Sequence, residues 1–231
     1  MSRLAPLAAA VSLALMPAAL RADSRSYDVG PFTSVSVHDG IAATVTVGPE
    51  VSVTGTALRG DLDRLKVEVR GDTLRLTRQA SWGLFGTGRR DRFEVVVTLP
   101  DLEELTSTAG ASVDLDGASG DLVLSSTSGA SLRADGIEAG RIEASASSGA
   151  SMRLSGTCDS IEAEASSGAS LLAEDLACAK VVGESKSGSS LSLRASETAD
   201  LSASSGASIR IAGDPEEVTR EVSSGASIRS R

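Results

Sequence analysis

Apolar and polar residues alternate along most of residues 102–231, and glycine marks a repeat within that alternation. The words SSGAS, TSGAS, TAGAS and KSGSS recur about every 19 residues. Their glycines are Gly110, Gly129, Gly149, Gly168, Gly188, Gly206 and Gly225. The third residue after each glycine is always large and apolar, whereas a flexible Gly/Ser linker has no apolar period. We therefore predict a folded repeat rather than a linker.

The period within each repeat is two, which is the period of an extended strand. Apolar residues also recur five after and seven before the glycine, so they share one side of the strand with the residue three after it. A period of two inside a unit of this length is typical of a parallel β-solenoid, because each unit makes one coil that stacks on the next. We predict an all-β fold with about seven coils over residues 101–231, in the right-handed sense that parallel crossovers prefer.

Residues an even number of positions apart lie on the same face of a strand, and this rule predicts which residues of each SSGAS word point inward. Around Gly149 we expect Ser148, Ala146 and Ala150 to point inward, where two walls of the coil approach each other. The residue two after each glycine is expected to point outward, and it is serine in every copy. This candidate surface ladder consists of Ser112, Ser131, Ser151, Ser170, Ser190, Ser208 and Ser227. The simpler interpretation is a solvated row of hydroxyl groups.

Residues 23–100 are predicted to form a strand region that leads into the coils, so that residues 23–231 make one continuous domain. Apolar residues alternate with polar ones over 35–53 and 93–99. Residues 65–69 and 74–76 flank Gly71-Asp72, which is a hairpin signal. Residues 57–64 are predicted to form a helical turn.

The first 22 residues have a different composition. Arg3 is followed by an apolar run over residues 7–15 and by small residues that lead to Ala22, the pattern of a secretory signal peptide. We therefore expect an exported protein, either periplasmic or at the outer surface or extracellular. No later apolar stretch reaches 18 residues, so no transmembrane span is predicted in the mature chain.

Cys158 and Cys178 each lie ten residues before a repeat glycine, so they occupy equivalent positions on neighbouring coils. Coils about 4.8 Å apart bring the two Cα atoms within the range that a disulfide tolerates, and export provides an oxidising compartment. We predict a bridge, with two buried free thiols as the alternative. Two cysteines and one histidine do not make a metal-ligand set, so no metal site is predicted.

The loop SWGLFGTGRRDRF, residues 81–93, is the most unusual segment, because aromatic residues make up only 2% of the chain. Aromatic residues combined with arginine are typical of interface hot spots. The candidate interaction loop therefore comprises Trp82, Phe85, Arg89, Arg90 and Arg92. The alternative is that the loop caps one end of the solenoid. The net charge of −9, with no basic stripe, predicts no nucleic-acid partner.

We find no convergent catalytic set in the sequence. His38 fits a polar turn, and no nucleophile is singled out beside it. Two pairs of glutamates lie at the same distance from the repeat glycine on adjacent coils: Glu143 with Glu162, and Glu164 with Glu184. Either pair could form a glycosidase dyad or bind a cation. Solvated surface carboxylates are the simpler interpretation. We predict no enzymatic activity, no catalytic residues and no cofactor.

The order of these features resembles a known family. The segments FTSVSVHDGIAATVTVGPEVSVTG (32–55), LDRLKVEVRGDTLRLT (62–77) and VVVTLPDLEELTSTAGASVDL (95–115) follow one another. They resemble the family of the "putative auto-transporter adhesin, head GIN domain", from about Phe32 to the end of the sequence. The resemblance implies strands that lead through an LPxLE segment into β-solenoid coils, in an exported bacterial protein of unknown biochemistry.

Together these features favour a non-enzymatic adhesion or interaction module of the bacterial cell envelope. Its expected partner is an envelope or surface ligand, either protein or glycan. Three alternatives stay open: a structural envelope protein that forms homo-oligomers through the solenoid ends, a polysaccharide-active β-helix enzyme, and an ice-binding face built from the serine ladder.

Overall fold

A computed structural model of the protein describes residues 23–79 and 91–230. These residues form sixteen strands, which hydrogen-bond into one sheet, and a short 3₁₀ turn at Leu62–Arg64. The strands are β1 (Asp23–Tyr27), β2 (Ser34–Val37), β3 (Ala42–Val47), β4 (Ser52–Arg59), β5 (Leu65–Arg70), β6 (Thr73–Arg78), β7 (Arg92–Leu99), β8 (Glu104–Ser107), β9 (Ser112–Ser126), β10 (Ser131–Ala146), β11 (Ser151–Ala165), β12 (Ser170–Ser185), β13 (Ser190–Ala203), β14 (Ser208–Ala212), β15 (Glu217–Val222) and β16 (Ser227–Ser230).

The long strands β9 to β13 each run through most of a coil, and each pairs in parallel with the next. The register keeps repeat positions together: Leu132 pairs with Val113 on one side and with Met152 on the other. The result is a parallel β-solenoid of about 7 turns with a ~19-residue repeat. The predicted all-β class and solenoid architecture are confirmed.

Every complete coil has two longer walls and a short segment between them, such as residues 137–139 of β10, which pairs separately with its neighbours. The first wall follows the glycine turn and contains β3, β14, β16 and the first halves of β9 to β13. The second wall precedes the turn and contains β2, β8, β15 and the second halves of β9 to β13. The long strands bend from the first wall to the second, and positive φ angles at Gly117 and Gly136 allow two of these bends.

The core between the walls is aliphatic. Leu122, Ile142, Ile161, Val181 and Ala199 stack along the second wall, and none is more than 3% exposed. Burial of each larger side chain contributes about 1.5–3 kcal/mol, which explains why the apolar columns determine the register. The predicted inward positions three after, five after and seven before the repeat glycine are buried in the long strands.

The strands before residue 100 extend both walls and then cover that end of the solenoid, and we call this covering layer the cap. β6 stacks in parallel on β2, and β7 stacks in parallel on β3. Antiparallel strands complete the cap: β4 pairs with β7, β1 with β4, and β5 with β6. The hairpin predicted around Gly71-Asp72 joins β5 to β6.

The helical turn predicted over residues 57–64 is only partly correct. Ala57 belongs to β4, where pairing with Phe93 leaves it 7% exposed. Only Leu62–Arg64 are helical, and the Asp61 side chain caps them by accepting the Asp63 N–H at 2.9 Å. Strand pairing and burial therefore outweigh the local helical preference of the first half of this segment.

The predicted disulfide is confirmed. Cys158 and Cys178 are bonded, their Cα atoms are 4.5 Å apart, and they pair in register on β11 and β12. Both side chains are almost fully buried. Within the described parts of the chain, no helix is long and apolar enough to cross a membrane.

Candidate functional site

Each SSGAS word forms a tight turn at the same edge of its coil. At Gly149 the φ angles of Ser148 and Gly149 are 54° and 72°, and the Ala150 N–H donates to the Ser147 carbonyl at 3.1 Å. Two successive positive φ angles closed by this hydrogen bond are the features of a type I′ turn. Such a turn redirects the chain over two central residues, so it is a compact link between the two walls.

The expectation that the residue before the glycine points inward is wrong. Ser148 is exposed, because the chain has left the wall at this position and runs through left-handed backbone. Ala146 and Ala150 do point inward and are 1% and 2% exposed. The glycine is required by its φ angle and not by crowding, since a Cβ atom on Gly149 would meet nothing within 4 Å.

Hydrogen bonds tie the turns to one another along the rod. The Gly110 N–H donates to the Ser128 carbonyl at 3.2 Å, and the Gly149 N–H donates to the Ser167 carbonyl at 3.1 Å. The same bond recurs from Gly129, Gly168, Gly188 and Gly206. We call this series of bonds the turn ladder. It ties each turn to the next, so equivalent side chains beside the turns lie in columns along the rod.

The serines two after each glycine lie next to the turn ladder. They pair in register from Ser112 to Ser227 along the first wall. All seven are exposed or half-buried, so the structure places them on the outer surface. We use the name hydroxyl band for these seven serines together with the exposed serines at the turn, namely Ser128, Ser148, Ser167, Ser187, Ser205 and Ser224.

One further turn of the same kind precedes the predicted repeat. Asp39 and Gly40 have φ angles of 59° and 72°, and the Ile41 N–H donates to the His38 carbonyl at 3.2 Å. Sequence reasoning recognised a turn here but not a repeat, because the capping strands separate Gly40 from Gly110. The signal was present, since Ile41, Ala43 and Val45 repeat the apolar offsets that follow the other glycines.

His38 occupies a structural position in this turn. Its Nε2 atom lies 2.8 Å from the Ser36 Oγ. Burial, together with the positive charge of Arg75, lowers the pKa of His38 below its ordinary value. The ring is therefore mainly neutral at neutral pH.

The candidate interaction loop lies mostly outside the described residues, which include neither Trp82, Phe85, Arg89 nor Arg90. Arg92 is described, and it begins β7. The two ends of the loop are held by Arg64: its Nη2 donates to the Gln79 carbonyl at 3.1 Å, and its Nη1 forms an ion pair with Asp91. The Gln79 N–H also donates to the Arg64 carbonyl at 2.9 Å.

The glutamate pairs are engaged with basic side chains. Glu143 and Glu162 are register partners, and the Arg141 Nη2 lies 3.1 Å from the first and 3.6 Å from the second. Glu184, the register partner of Glu164, lies 2.6 Å from the Lys186 Nζ. All of these ion pairs are exposed, which favours the interpretation as solvated surface carboxylates.

Asp135 on the outer surface accepts two side-chain hydrogen bonds. The Ser155 Oγ donates to its Oδ1 at 2.7 Å, and the Arg133 Nε donates to its Oδ2 at 2.5 Å. These bonds, the serine bond first, hold the pKa of Asp135 below its usual range. The described residues contain no group of three or more His, Cys, Asp or Glu side chains that could hold a metal ion.

Several solved structures share this fold. A "putative adhesin" from Bacteroides fragilis is 15% identical, with a TM-score of 0.80, and the alignment covers 92% of this chain and 98% of that one. A "putative lipid binding protein" from Parabacteroides distasonis is 15% identical, with a TM-score of 0.70 and coverages of 92% and 97%. A "putative adhesin" from Parabacteroides merdae is 11% identical, with a TM-score of 0.72 and the same coverages. At these identities the likeness shows the fold alone.

No curated protein matches the chain. The model of one family does match, over residues 31–215, which is most of the sequence and includes strands β2 to β14 and all but one of the glycine turns. The chain therefore belongs to the family "Putative auto-transporter adhesin, head GIN domain", as the sequence resemblance predicted.

Proposed function

We propose that the protein is an extracytoplasmic binding module of the adhesin type that holds a ligand of the cell envelope or cell surface. The observation that carries this proposal is the hydroxyl band. Its serines are exposed or half-buried, and the serines that follow the glycines pair in register from Ser112 to Ser227. Strands in such a stack are about 4.8 Å apart, so the band suits an extended ligand that makes the same contact repeatedly.

Two observations support an extracytoplasmic location. The Cys158–Cys178 bridge is of a kind that persists in oxidising compartments. The first 22 residues have the pattern of a secretory signal peptide. We propose export to the periplasm or to the outer surface.

We further propose that binding takes place without chemical turnover. The turns at the band edge consist of two central residues each, so the described coils carry no inserted loops there that would build a cleft. The paired carboxylates considered as a glycosidase dyad are exposed and contact Arg141 or Lys186. Retention of glycan chain length after incubation with the protein is the expected result.

Capture from envelope fractions tests the proposal. Residues 23–231 are immobilised and incubated with envelope proteins and, separately, with surface glycans. We expect one fraction to yield a ligand, and we expect Ser151→Lys with Ser170→Lys to reduce its capture by about tenfold or more, because both lysines interrupt the band. Ser119→Lys with Thr157→Lys is the matched control, since both residues are exposed at the bends between the walls. Empty captures from both fractions, or equal losses in both variants, would contradict the proposal.

The candidate interaction loop is proposed as a second contact. The loop combines aromatic and guanidinium groups in Trp82, Phe85, Arg89, Arg90 and Arg92. Arg64 contacts Gln79 and Asp91, the residues at the two ends of the loop. Trp82→Ala with Phe85→Ala is expected to weaken capture while the melting temperature is unchanged. A fall in melting temperature with unchanged capture would instead identify the loop as a structural cap.

Assembly through the solenoid end is a second candidate function, favoured by the last described coil. Val222 is 52% exposed, although it pairs with Ala203 in a column whose other residues are buried. Val222→Asp is expected to abolish concentration-dependent association in sedimentation velocity. Val182→Asp is the control, because Val182 is 50% exposed on the outer surface. A strict monomer at high concentration would rule out this candidate.

A further inference from the structure

Three arginines line a groove where the cap meets the first two glycine turns. Arg59 ends β4, Arg78 ends β6, and Arg92 begins β7. The groove has a volume of about 870 Å³. Among the described residues, the others that line it are Asp39, Gly40, Leu58, Asp91, Ala109 and Gly110. The β4–β7 register explains part of this cluster, because Arg59 and Arg92 are direct cross-strand partners.

Within the described residues, these three guanidinium groups form no ion pair with a carboxylate. The intervening residues 80–90 contain no Asp or Glu. Asp91 does not neutralise them, because its side chain is 7% exposed and paired with Arg64. Asp39 adds one carboxylate to the lining, and its Oδ2 accepts the Arg78 backbone N–H at 3.2 Å. Three guanidinium groups therefore outnumber the one carboxylate that is not in an ion pair, which leaves the groove positive on a chain whose net charge is −9.

The backbone at the base of the groove also offers a hydrogen-bond donor. The turn ladder begins at Gly110, whose N–H donates to the Ser128 carbonyl. Within the described residues no equivalent bond runs from Gly40 to Ala109, so the Gly40 N–H lies free between the first two turns. Backbone donors in left-handed turns are recurrent components of anion sites.

The lining indicates a small acidic ligand. Guanidinium groups match carboxylate and phosphate oxygens with paired hydrogen bonds. The groove is within the size range of small-molecule sites, and Leu58 is the main apolar side chain among its described lining residues. The hydroxyl band starts at the Gly110 turn beside the groove, so a hydroxyl-rich ligand could continue along the coils.

We propose that the groove lined by Arg59, Arg78 and Arg92 binds the carboxylate or phosphate group of an acidic sugar. This inference rests on the proposed function and deepens it by naming the ligand class and the place where the ligand is anchored. Carboxylate and phosphate share the recognition chemistry, so the experiment includes one probe of each kind.

Isothermal titration calorimetry of residues 23–231 at low ionic strength provides the test. The probes are trigalacturonate, glucose 6-phosphate and neutral maltotriose. We expect at least one acidic probe to bind, with an affinity that falls as salt is added, and we expect maltotriose not to bind. Arg59→Gln with Arg92→Gln is expected to weaken binding by about tenfold or more, since charge-assisted hydrogen bonds are lost.

The matched control is Arg194→Gln with Arg210→Gln, which removes the same charge from exposed arginines on the coils. We expect it to change the affinity by less than about twofold. Circular dichroism melting establishes that both variants are folded; if the Arg59/Arg92 pair unfolds, Arg78→Gln alone replaces it.

Three calorimetric results would overturn the inference: neither acidic probe binds, maltotriose binds as tightly as the acidic probes, or the control variant loses as much affinity as the Arg59/Arg92 variant. A dimer that depends on Arg59 and Arg92 would also overturn it, because carboxylates of a second copy would then occupy the groove. The proposed function fails separately. If Arg59→Gln with Arg92→Gln still captures the envelope ligand through the hydroxyl band, only the acidic-sugar inference is lost. If acidic sugars bind but no envelope ligand is captured, the adhesin proposal is lost.

Discussion

Left-handed backbone at non-glycine residues is the most distinctive feature at the scale of single residues. In the described chain, every such residue immediately precedes a turn glycine. They are Asp39, Ala109, Ser128, Ser148, Ser167, Ser187, Ser205 and Ser224. This conformation costs an L-residue about 1–2 kcal/mol, and the hydrogen bond that closes each of these turns offsets part of that cost. Asn tolerates left-handed backbone better than Ser or Ala does.

We therefore expect Ser148→Asn to stabilise the protein by about 0.5 kcal/mol, because Asn-Gly is the preferred pair in a type I′ turn. Urea denaturation measures the free energy of unfolding. Ser151→Asn serves as the control, since the same change in strand β11 is expected to be neutral or destabilising. A loss of stability in Ser148→Asn, with Ser151→Asn unaffected, would contradict the assignment of the turn.

The hydrogen bond from Ser155 to Asp135 predicts a change in titration behaviour. Ser155→Ala is expected to raise the pKa of Asp135 toward its usual value, because the serine bond is the main cause of its depression. A carboxyl with a lowered pKa in the folded state contributes stability above its unfolded pKa and loses that contribution as the pH falls through its folded pKa. NMR titration of the Asp135 carboxyl measures the effect, with Ser160→Ala as a control. An unchanged pKa would show that the Arg133 bond alone holds the carboxylate.

At the scale of strands and turns, repetition determines what the sequence could predict. The apolar columns, the outward serines and the disulfide follow from a period of two inside a regular unit, because equivalent positions of successive coils must stack. The outward orientation of the Ser148 side chain could not be predicted from the alternation of inward and outward residues, because that alternation stops where the backbone becomes left-handed. The membership of the Gly40 turn in the repeat and the end of β4 were missed because their pairing partners are distant in the sequence.

Arg64 connects three elements of the cap, and its removal is expected to weaken the protein. Arg64→Met leaves the almost fully buried carboxylate of Asp91 without its partner, and we expect a loss of about 2–3 kcal/mol in urea denaturation. Arg70→Met removes an exposed pair with Glu68 and is expected to cost less than about 0.5 kcal/mol. Similar losses from both variants would show that the Arg64–Asp91 pair does not hold the cap together.

At the scale of the whole molecule, each coil contacts mainly its two neighbours, so a complete coil is a unit that can be removed. Ser131 pairs with both Ser112 and Ser151, and Ile142 pairs with both Leu122 and Ile161. Deletion of residues 131–150 joins Ala130 to Ser151 and brings β9 onto β11 in the same register. We expect this variant to fold as a rod about 4.8 Å shorter.

Small-angle scattering measures the length of that rod, and circular dichroism measures the cooperativity of its melting. Deletion of residues 131–140 is the control, because it removes the first wall of the coil and displaces the following turn from the turn ladder. We expect this variant not to fold. If the 131–150 variant also fails to fold, the coils are not interchangeable units.

The Cys158–Cys178 bridge has a mechanical consequence for a rod that is pulled by its two ends. The hydrogen bonds between coils run along the rod, so tension peels coils away one after another from an end. The bridge closes a segment with a sequence separation of 20, and that segment stays out of the extended chain. Since an extended residue spans about 3.3–3.6 Å, the oxidised protein is expected to reach a contour length about 65 Å shorter than the reduced protein in an optical trap.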